Sequence, residues 1–188
     1  MLRLLTTAAF GVGLLVASNS FAQTNHPNPA PGPAATAVSK LDQQDTNFIK
    51  EAAAGGMAEV ALGKIATKSE NPEVKLFAEK MVRDHTAAGN ELTTIANEAG
   101  VEIPKTLNGD HQRIHDQLKS MHGKTFDQQY MQIMVDDHDH ALNLFRQQDN
   151  LGQDARLKQF AHKTLPTIEE HHKMAADLSR RLSQTAAR

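Results

Sequence analysis

The chain has 188 residues, with 22 acidic and 20 Lys or Arg side chains for a formal net charge of −2 at pH 7, and no cysteine. This charge balance gives no reason to expect a nucleic acid or an anionic membrane surface as partner. The lack of cysteine excludes disulfides, thiolate nucleophiles, iron–sulfur clusters and haem attached through cysteine.

The N-terminal segment has the features of a secretory signal. A positive charge at Arg3 precedes an apolar run, and the small residues Ser20 and Ala22 follow at the positions that a signal peptidase requires. The apolar run is too short for an ordinary membrane span, and no second one follows. We therefore expect a signal peptide at 1–22, with an uncleaved anchor as the alternative, and a periplasmic or secreted protein without a membrane span after cleavage.

The next segment, 23–44, is rich in Pro and Ala and has almost no large apolar side chains. Such a composition cannot bury enough surface to offset the entropy of ordering, so a linker is expected. A helical domain is predicted for 45–185, since strand signals are nearly absent there.

Capping residues divide this domain into four long helices. Asp45 can cap the first helix, Asn71 with Pro72 marks the start of the second, and Gly100 marks its end. The predicted long helices run from about Asp45 to Ser69, Pro72 to Ala99, Thr125 to Gln148 and Gln153 to Ser183.

One connection is much longer than the others. The residues between the second and third long helices include Pro104, Gly109 and a short helical segment at about Asp110–Met121. Such a connection can return along the full length of a bundle, whereas the short connections require antiparallel neighbours. The predicted fold is all-α: a ferritin-like four-helix bundle with a long crossover that carries a short extra helix.

Two near-identical motifs mark the second and third long helices: MVRDH at Met81–His85 and MVDDH at Met134–His138. An aromatic residue stands four positions before each Met, at Phe77 and at Tyr130. In a bundle of two helix pairs related by a pseudo-twofold axis, equivalent positions face each other across the core. The repeat therefore places His85 opposite His138, unless it is a chance similarity between two helices.

Helical periodicity puts one polar residue on the inner face of each long helix. These residues are Glu59, His85, His138 and His171. On the third long helix a competing stripe through Tyr130 and Ile133 would instead centre Asp137. A single histidine on an apolar face is usually an ordinary core residue, but burying four such groups without partners would cost several kcal/mol.

A shared metal site would remove that cost. Imidazole-rich sites suit Zn²⁺, Cu²⁺, Ni²⁺ or Fe better than Mg²⁺ or Ca²⁺. We take Glu59, His85, His138 and His171 as candidate ligands, and the adjacent Asp84, Asp137, Glu170 and His172 as second candidates. The alternative is a metal-free hydrogen-bonded network in a helical protein of the cell envelope that binds another protein or has a structural role.

Other chemistry has weaker support. His111 and His115 are four residues apart but lack the Glu of HExxH, so a solvated pair is expected. Non-covalent haem held by His and Met is compatible with the composition but not indicated by it. No ordinary catalytic motif is present, and the sequence leaves enzymatic activity, protein partners and oligomeric state open.

Pro166 lies inside the fourth long helix, where we expect a kink near Ala161–Leu165.

The chain resembles the secreted bacterial domain-of-unknown-function 4142 family, over about Asp45–Leu178. The resemblance rests on AEVALGKIATKSENPEVKLFAEKMVRDHTAA, FDQQYMQIMVDDHDHALNLF and LKQFAHKTLPTIEEHHKMA. The positions that match the family pattern are Glu59, Asp84-His85, Asp137-His138, Pro166 and His171. The resemblance implies a ferritin-like bundle and no settled activity.

The chain departs from the di-iron proteins of that fold, which use Glu-x-x-His on two helices. Glu169-x-x-His172 is the only such motif on the four long helices. We expect metal binding in a metal-handling or stress-protective role rather than iron storage.

Overall fold

The computed structural model describes residues 41–184, so the predicted signal peptide and most of the predicted linker lie outside the described residues. Within 41–184 the chain is entirely helical, without a strand. Its helices are α1 (Gln43–Ala66), α2 (Pro72–Glu98), α3 (Gly109–Lys119), α4 (Gly123–Leu151) and α5 (Ala155–Gln184). None of the helices in this part of the chain has the length and apolarity to cross a membrane.

The helix termini confirm two of the predicted signals. Asn71 caps α2 by accepting hydrogen bonds from the N–H groups of Glu73 and Val74, and Gly100 follows α2 with a positive φ of 68°. Only glycine takes this left-handed conformation without strain, which accounts for its place after the helix.

The predicted cap of α1 was wrong. Asp42 is the cap, and its Oδ1 accepts from the N–H of Asp45 at 2.7 Å. Asp45 lies inside the helix and is buried. Its carboxylate accepts from the side chain of Gln148 at 2.6 Å and from the N–H of Asp154 at 2.7 Å. The residue that resembles a cap therefore joins α1 to the connection between α4 and α5.

The four long helices pack in a closed order. Helix α1 packs mainly on α2 and also on α4, while α5 packs mainly on α4 and also on α2. Pairs such as Glu73–Arg181 and Glu91–Lys163 show that α2 and α5 are antiparallel. The contacts Asp45–Gln148 and Ser69–Asp127 show that α4 is antiparallel to α1. Helix α2 follows α1 after a short connection and is antiparallel to it, and α2 and α4 lie diagonally, without extensive packing on each other. Helix α3, in the long connection, packs on α1 and α4.

The apolar core consists of two clusters. The first includes Phe77, Met81, Tyr130, Met134 and Ala175. The second includes Phe48, Leu92, Phe145, Phe160 and Ile168. Each long helix contributes residues to both clusters, and one inward-facing polar residue lies between its two sets of core positions. These residues are Glu59, His85, His138 and His171.

Helix α5 continues through Pro166 without a break. Proline has no N–H, so the carbonyl of His162 cannot receive its usual helical hydrogen bond. The kink near Ala161–Leu165 remains a prediction.

Candidate metal centre

Three imidazole rings meet between the two core clusters. The ring centroids of His85 and His138 are 5.5 Å apart, those of His85 and His171 are 5.2 Å apart, and those of His138 and His171 are 5.5 Å apart. The rings come from α2, α4 and α5, so residues far apart in sequence form one compact group. The stripe through Met134 and His138 faces inward: His138 is fully buried, while Asp137 is only half-buried.

One nitrogen of each ring has an oxygen partner. His85 Nδ1 lies 2.9 Å from Glu59 Oε2, and His171 Nε2 lies 3.0 Å from Asp84 Oδ2. His138 Nδ1 lies 2.9 Å from the carbonyl oxygen of Met134 and 3.5 Å from Glu59 Oε1. These contacts fix the orientation of the rings, as carboxylates and carbonyls do for histidines that ligate metals.

The other nitrogen of each ring is buried and has no hydrogen-bond partner among residues 41–184. These atoms are His85 Nε2, His138 Nε2 and His171 Nδ1. One ligand atom from each of the three residues lies within 4.8 Å of the corresponding atoms of the other two. Around a tetrahedral ion with bonds of about 2.0–2.1 Å, nitrogen ligands are about 3.4 Å apart. Small movements of the rings would therefore bring the three ligand atoms to the distances that an ion requires. The three histidines could therefore hold a metal ion.

Burial and the contacts with Glu59 determine the charge state of the cluster. Burial acts to raise the pKa of Glu59, but the charge and hydrogen bond of His85, with smaller contributions from the other two imidazoles, lower it to about 2. Burial acts to lower the pKa of His85, but the charge of Glu59 and their hydrogen bond raise it. Without a metal, these effects favour an ion pair between Glu59 and His85, and metal binding would release the proton of His85.

The other two imidazoles are held in the neutral form that binds metals. Burial lowers the pKa of His138 although Glu59 acts in the opposite direction. Burial and the charge of His85 lower the pKa of His171 to about 4, despite its hydrogen bond to Asp84. Metal binding at neutral pH would therefore not have to displace a proton from either ring.

The second candidates lie around the cluster and not within it. Asp84 contacts His171 and is also paired with Lys80, which reaches Glu170 at 3.1 Å. His172 pairs with Asp139 at 3.0 Å. Lys80 was missed at the sequence level, although its spacing of four residues from Asp84 is a helical ion-pair signal.

Asp137 is the remaining second candidate. Burial and the charge of Glu59 raise its pKa to about 7. It lines a groove of about 1230 Å³ that reaches the cluster at Glu59 and His85. His111 and His115 line the same groove, and His115 is paired with Asp116. No group of three or more potential metal ligands in the described chain includes either of them.

Comparison with known proteins agrees with the helical fold. A fragment of a DUF305 protein from Deinococcus radiodurans has a similar structure, with a TM-score of 0.64 and 13% sequence identity, over 74% of this chain and 98% of that one. No match was found among curated proteins. The family described as Domain of unknown function (DUF4142) matches residues 30–178. Since this match spans most of the sequence, the chain belongs to the DUF4142 family.

Proposed function

We propose that this protein is an exported ferritin-like four-helix bundle that binds one transition-metal ion through His85, His138 and His171. Two observations support the proposal: the three rings bring one nitrogen each within 4.8 Å of one another, and each ring has a buried nitrogen without a hydrogen-bond partner in the described chain. Leaving such groups unsatisfied is costly, and a metal bond to each would remove the cost. Imidazole donors favour Zn²⁺, Cu²⁺, Ni²⁺ or Fe over Mg²⁺ and Ca²⁺.

Glu59, which the sequence analysis predicts as a ligand, has a different role in this proposal. Its carboxylate holds Nδ1 of His85, so that Nε2 is free for the metal. Asp84 holds His171 in the same way. Such outer partners orient the ligands and raise their basicity.

A metal-handling or stress-protective role is supported better than iron storage. The Glu169-x-x-His172 motif does not enter the cluster: Glu169 is paired with Arg146 and His172 with Asp139. The donor set is thus a single group of imidazoles and not the carboxylate-rich pair of sites that di-iron bundles use.

Elemental analysis tests the proposal. Protein purified without a His-tag or chelator is incubated with Zn²⁺, Cu²⁺, Ni²⁺ or Fe²⁺ in turn and then dialysed. We expect about one equivalent of the preferred ion, lost in the triple variant His85→Asn/His138→Asn/His171→Asn. The matched control is His162→Asn, which changes a histidine whose side chain is 79% exposed. Less than about a tenth of an equivalent in the wild-type protein would refute metal binding and leave the hydrogen-bonded network as the explanation.

A further inference from the structure

The cluster has fewer donors than a transition metal requires. In the described chain no fourth His, Asp or Glu joins the ligand group of the three histidines. Zinc and related ions bind at least four ligands, and sites with three protein ligands have a solvent or substrate molecule as the fourth. The fourth ligand of an ion in this cluster is therefore a solvent or other small molecule that enters the site.

The groove determines from which side such a molecule can come. His138 and His171 are fully buried between the two core clusters. The side chain of His85 is 12% exposed, and it lines the groove together with Glu59. His85 Nε2, which has no hydrogen-bond partner among the described residues, belongs to the ring that the groove reaches.

Gly55 and Gly56 form part of the groove wall in the middle of α1. Glycine inside a helix is destabilising relative to alanine, so it usually reflects a close contact or a positive φ. Neither applies here: within 41–184 a Cβ at either position would meet no atom within 4 Å, and neither glycine has a positive φ. The Glu59–His85 contact and the antiparallel packing place these glycines opposite Ala88 and Gly89 of α2. Small residues thus keep the groove open beside His85.

The chemistry of the lining selects the ligand. The groove wall near His85 is largely apolar, with Ala52, Ala88 and Leu92 among its residues. The charged group closest to His85 is the carboxylate of Glu59, which offsets part of the charge of a divalent ion and so weakens the attraction of that ion for a multiply charged anion. An uncharged molecule with an apolar body fits both conditions, and a nitrogen lone pair is a donor that Zn²⁺, Cu²⁺, Ni²⁺ and Fe accept.

We propose that the metal-loaded cluster has one open coordination position, which takes an uncharged nitrogen-donor molecule that enters through this groove. The inference rests on the proposed function, because it requires a metal ion on the three histidines. Gly55 and Gly56 are positioning residues in this proposal: they keep the entry free and touch neither the ion nor its ligands.

Visible absorption of the Co²⁺-loaded protein tests the inference, with imidazole as the entering molecule and phosphate for comparison. In the wild-type protein we expect imidazole to shift the Co²⁺ bands saturably and phosphate to leave them unchanged. Gly56→Leu should weaken imidazole binding by at least about tenfold, while its Co²⁺ affinity changes by less than about threefold. Gly55→Leu is the second variant. Ala87→Leu, an exposed position on α2 outside the groove, should behave as the wild type.

Each failure has a different meaning. A wild-type protein that retains no Co²⁺ overturns the proposed function and this inference with it. Retained Co²⁺ whose bands do not respond to imidazole overturns the open position alone. Undiminished imidazole binding in Gly56→Leu and Gly55→Leu overturns the groove as the route, and an equal response to phosphate overturns the ligand class.

Discussion

Glu59 Oε2 lies 2.9 Å from Nδ1 of His85, across the contact between α1 and α2. This buried pair links the first helix to a cluster whose imidazoles come from the other three long helices. It also determines which nitrogen of His85 remains without a partner. The pair therefore connects the packing of the helices to the chemistry of the candidate metal centre.

Replacing Glu59 by Gln should weaken metal binding without abolishing it. The variant loses the carboxylate that orients His85, and loss of such a partner typically lowers metal affinity by about 10–100-fold. Competition with a chromophoric chelator measures the change. Glu79→Gln, an exposed position on α2, is the control and should have wild-type affinity. Unchanged affinity in Glu59→Gln would show that Glu59 does not support the site.

The stability of the metal-free protein should depend on pH through His171. The pKa of His171 in the folded state is lowered from 6.5 to about 4, so protonation favours the unfolded chain. The neutral ring of His171 therefore contributes fully to the free energy of unfolding above pH 6.5, and this contribution is lost as the pH falls toward 4. Relative to His171→Asn, the wild type should lose on the order of 2–3 kcal/mol over this range.

Urea unfolding in EDTA at several pH values measures this difference. His162→Asn, at an exposed position, should follow the wild type at every pH. Parallel stability curves for the wild type and His171→Asn between pH 7 and pH 4 would contradict the lowered pKa.

Two glycines should respond in opposite ways to alanine. A Cβ at Gly63 would lie 2.9 Å from Cγ2 of Val82, whereas one at Gly89 would meet nothing within 4 Å. Gly89→Ala should therefore stabilise the protein by about 0.5–1 kcal/mol, the usual gain inside a helix. Gly63→Ala should instead destabilise it by about 1 kcal/mol, because the side chain of Val82 or the packing of α1 on α2 must shift. Equal unfolding midpoints of the two variants would refute the close approach at Gly63.

Asp45 should be important for stability although it is far from the metal centre. Its buried carboxylate accepts hydrogen bonds from Gln148 and from the backbone before α5. Asp45→Ala would leave these donors unsatisfied and should cost about 2–4 kcal/mol in thermal or urea unfolding. Asp136→Ala removes an exposed carboxylate of α4 and should leave the midpoint unchanged. A midpoint of Asp45→Ala close to that of Asp136→Ala would contradict this role.

Helix positions and the inward-facing side of each long helix could be predicted because they depend on local rules. Asn71 and Gly100 act where capping chemistry predicts, and helical periodicity places His138 inward beside Met134. The role of Asp45 could not be predicted, because its partners lie more than a hundred residues away in sequence. An N-cap and a buried tertiary acceptor have the same residue preferences, so the sequence does not separate them.

The details of the candidate site depend on tertiary geometry in the same way. Sequence spacing brings Glu59 and the three histidines to one level but does not assign a partner to each ring nitrogen. The contact of His138 with the carbonyl of Met134 has no side-chain signal at all. The groove beside Gly55 and Gly56 was also missed, since a glycine pair inside a helix usually indicates only weak propensity.

X-ray absorption spectroscopy of the protein loaded with its preferred transition metal tests whether His85, His138 and His171 bind the ion. We expect three imidazole nitrogens bound to the metal at about 2.0–2.1 Å, with the multiple scattering that imidazole rings produce. The spectrum of His162→Asn should be the same. Oxygen atoms bound to the metal without imidazole scattering, or a wild-type spectrum retained by the triple variant His85→Asn/His138→Asn/His171→Asn, would contradict this expectation.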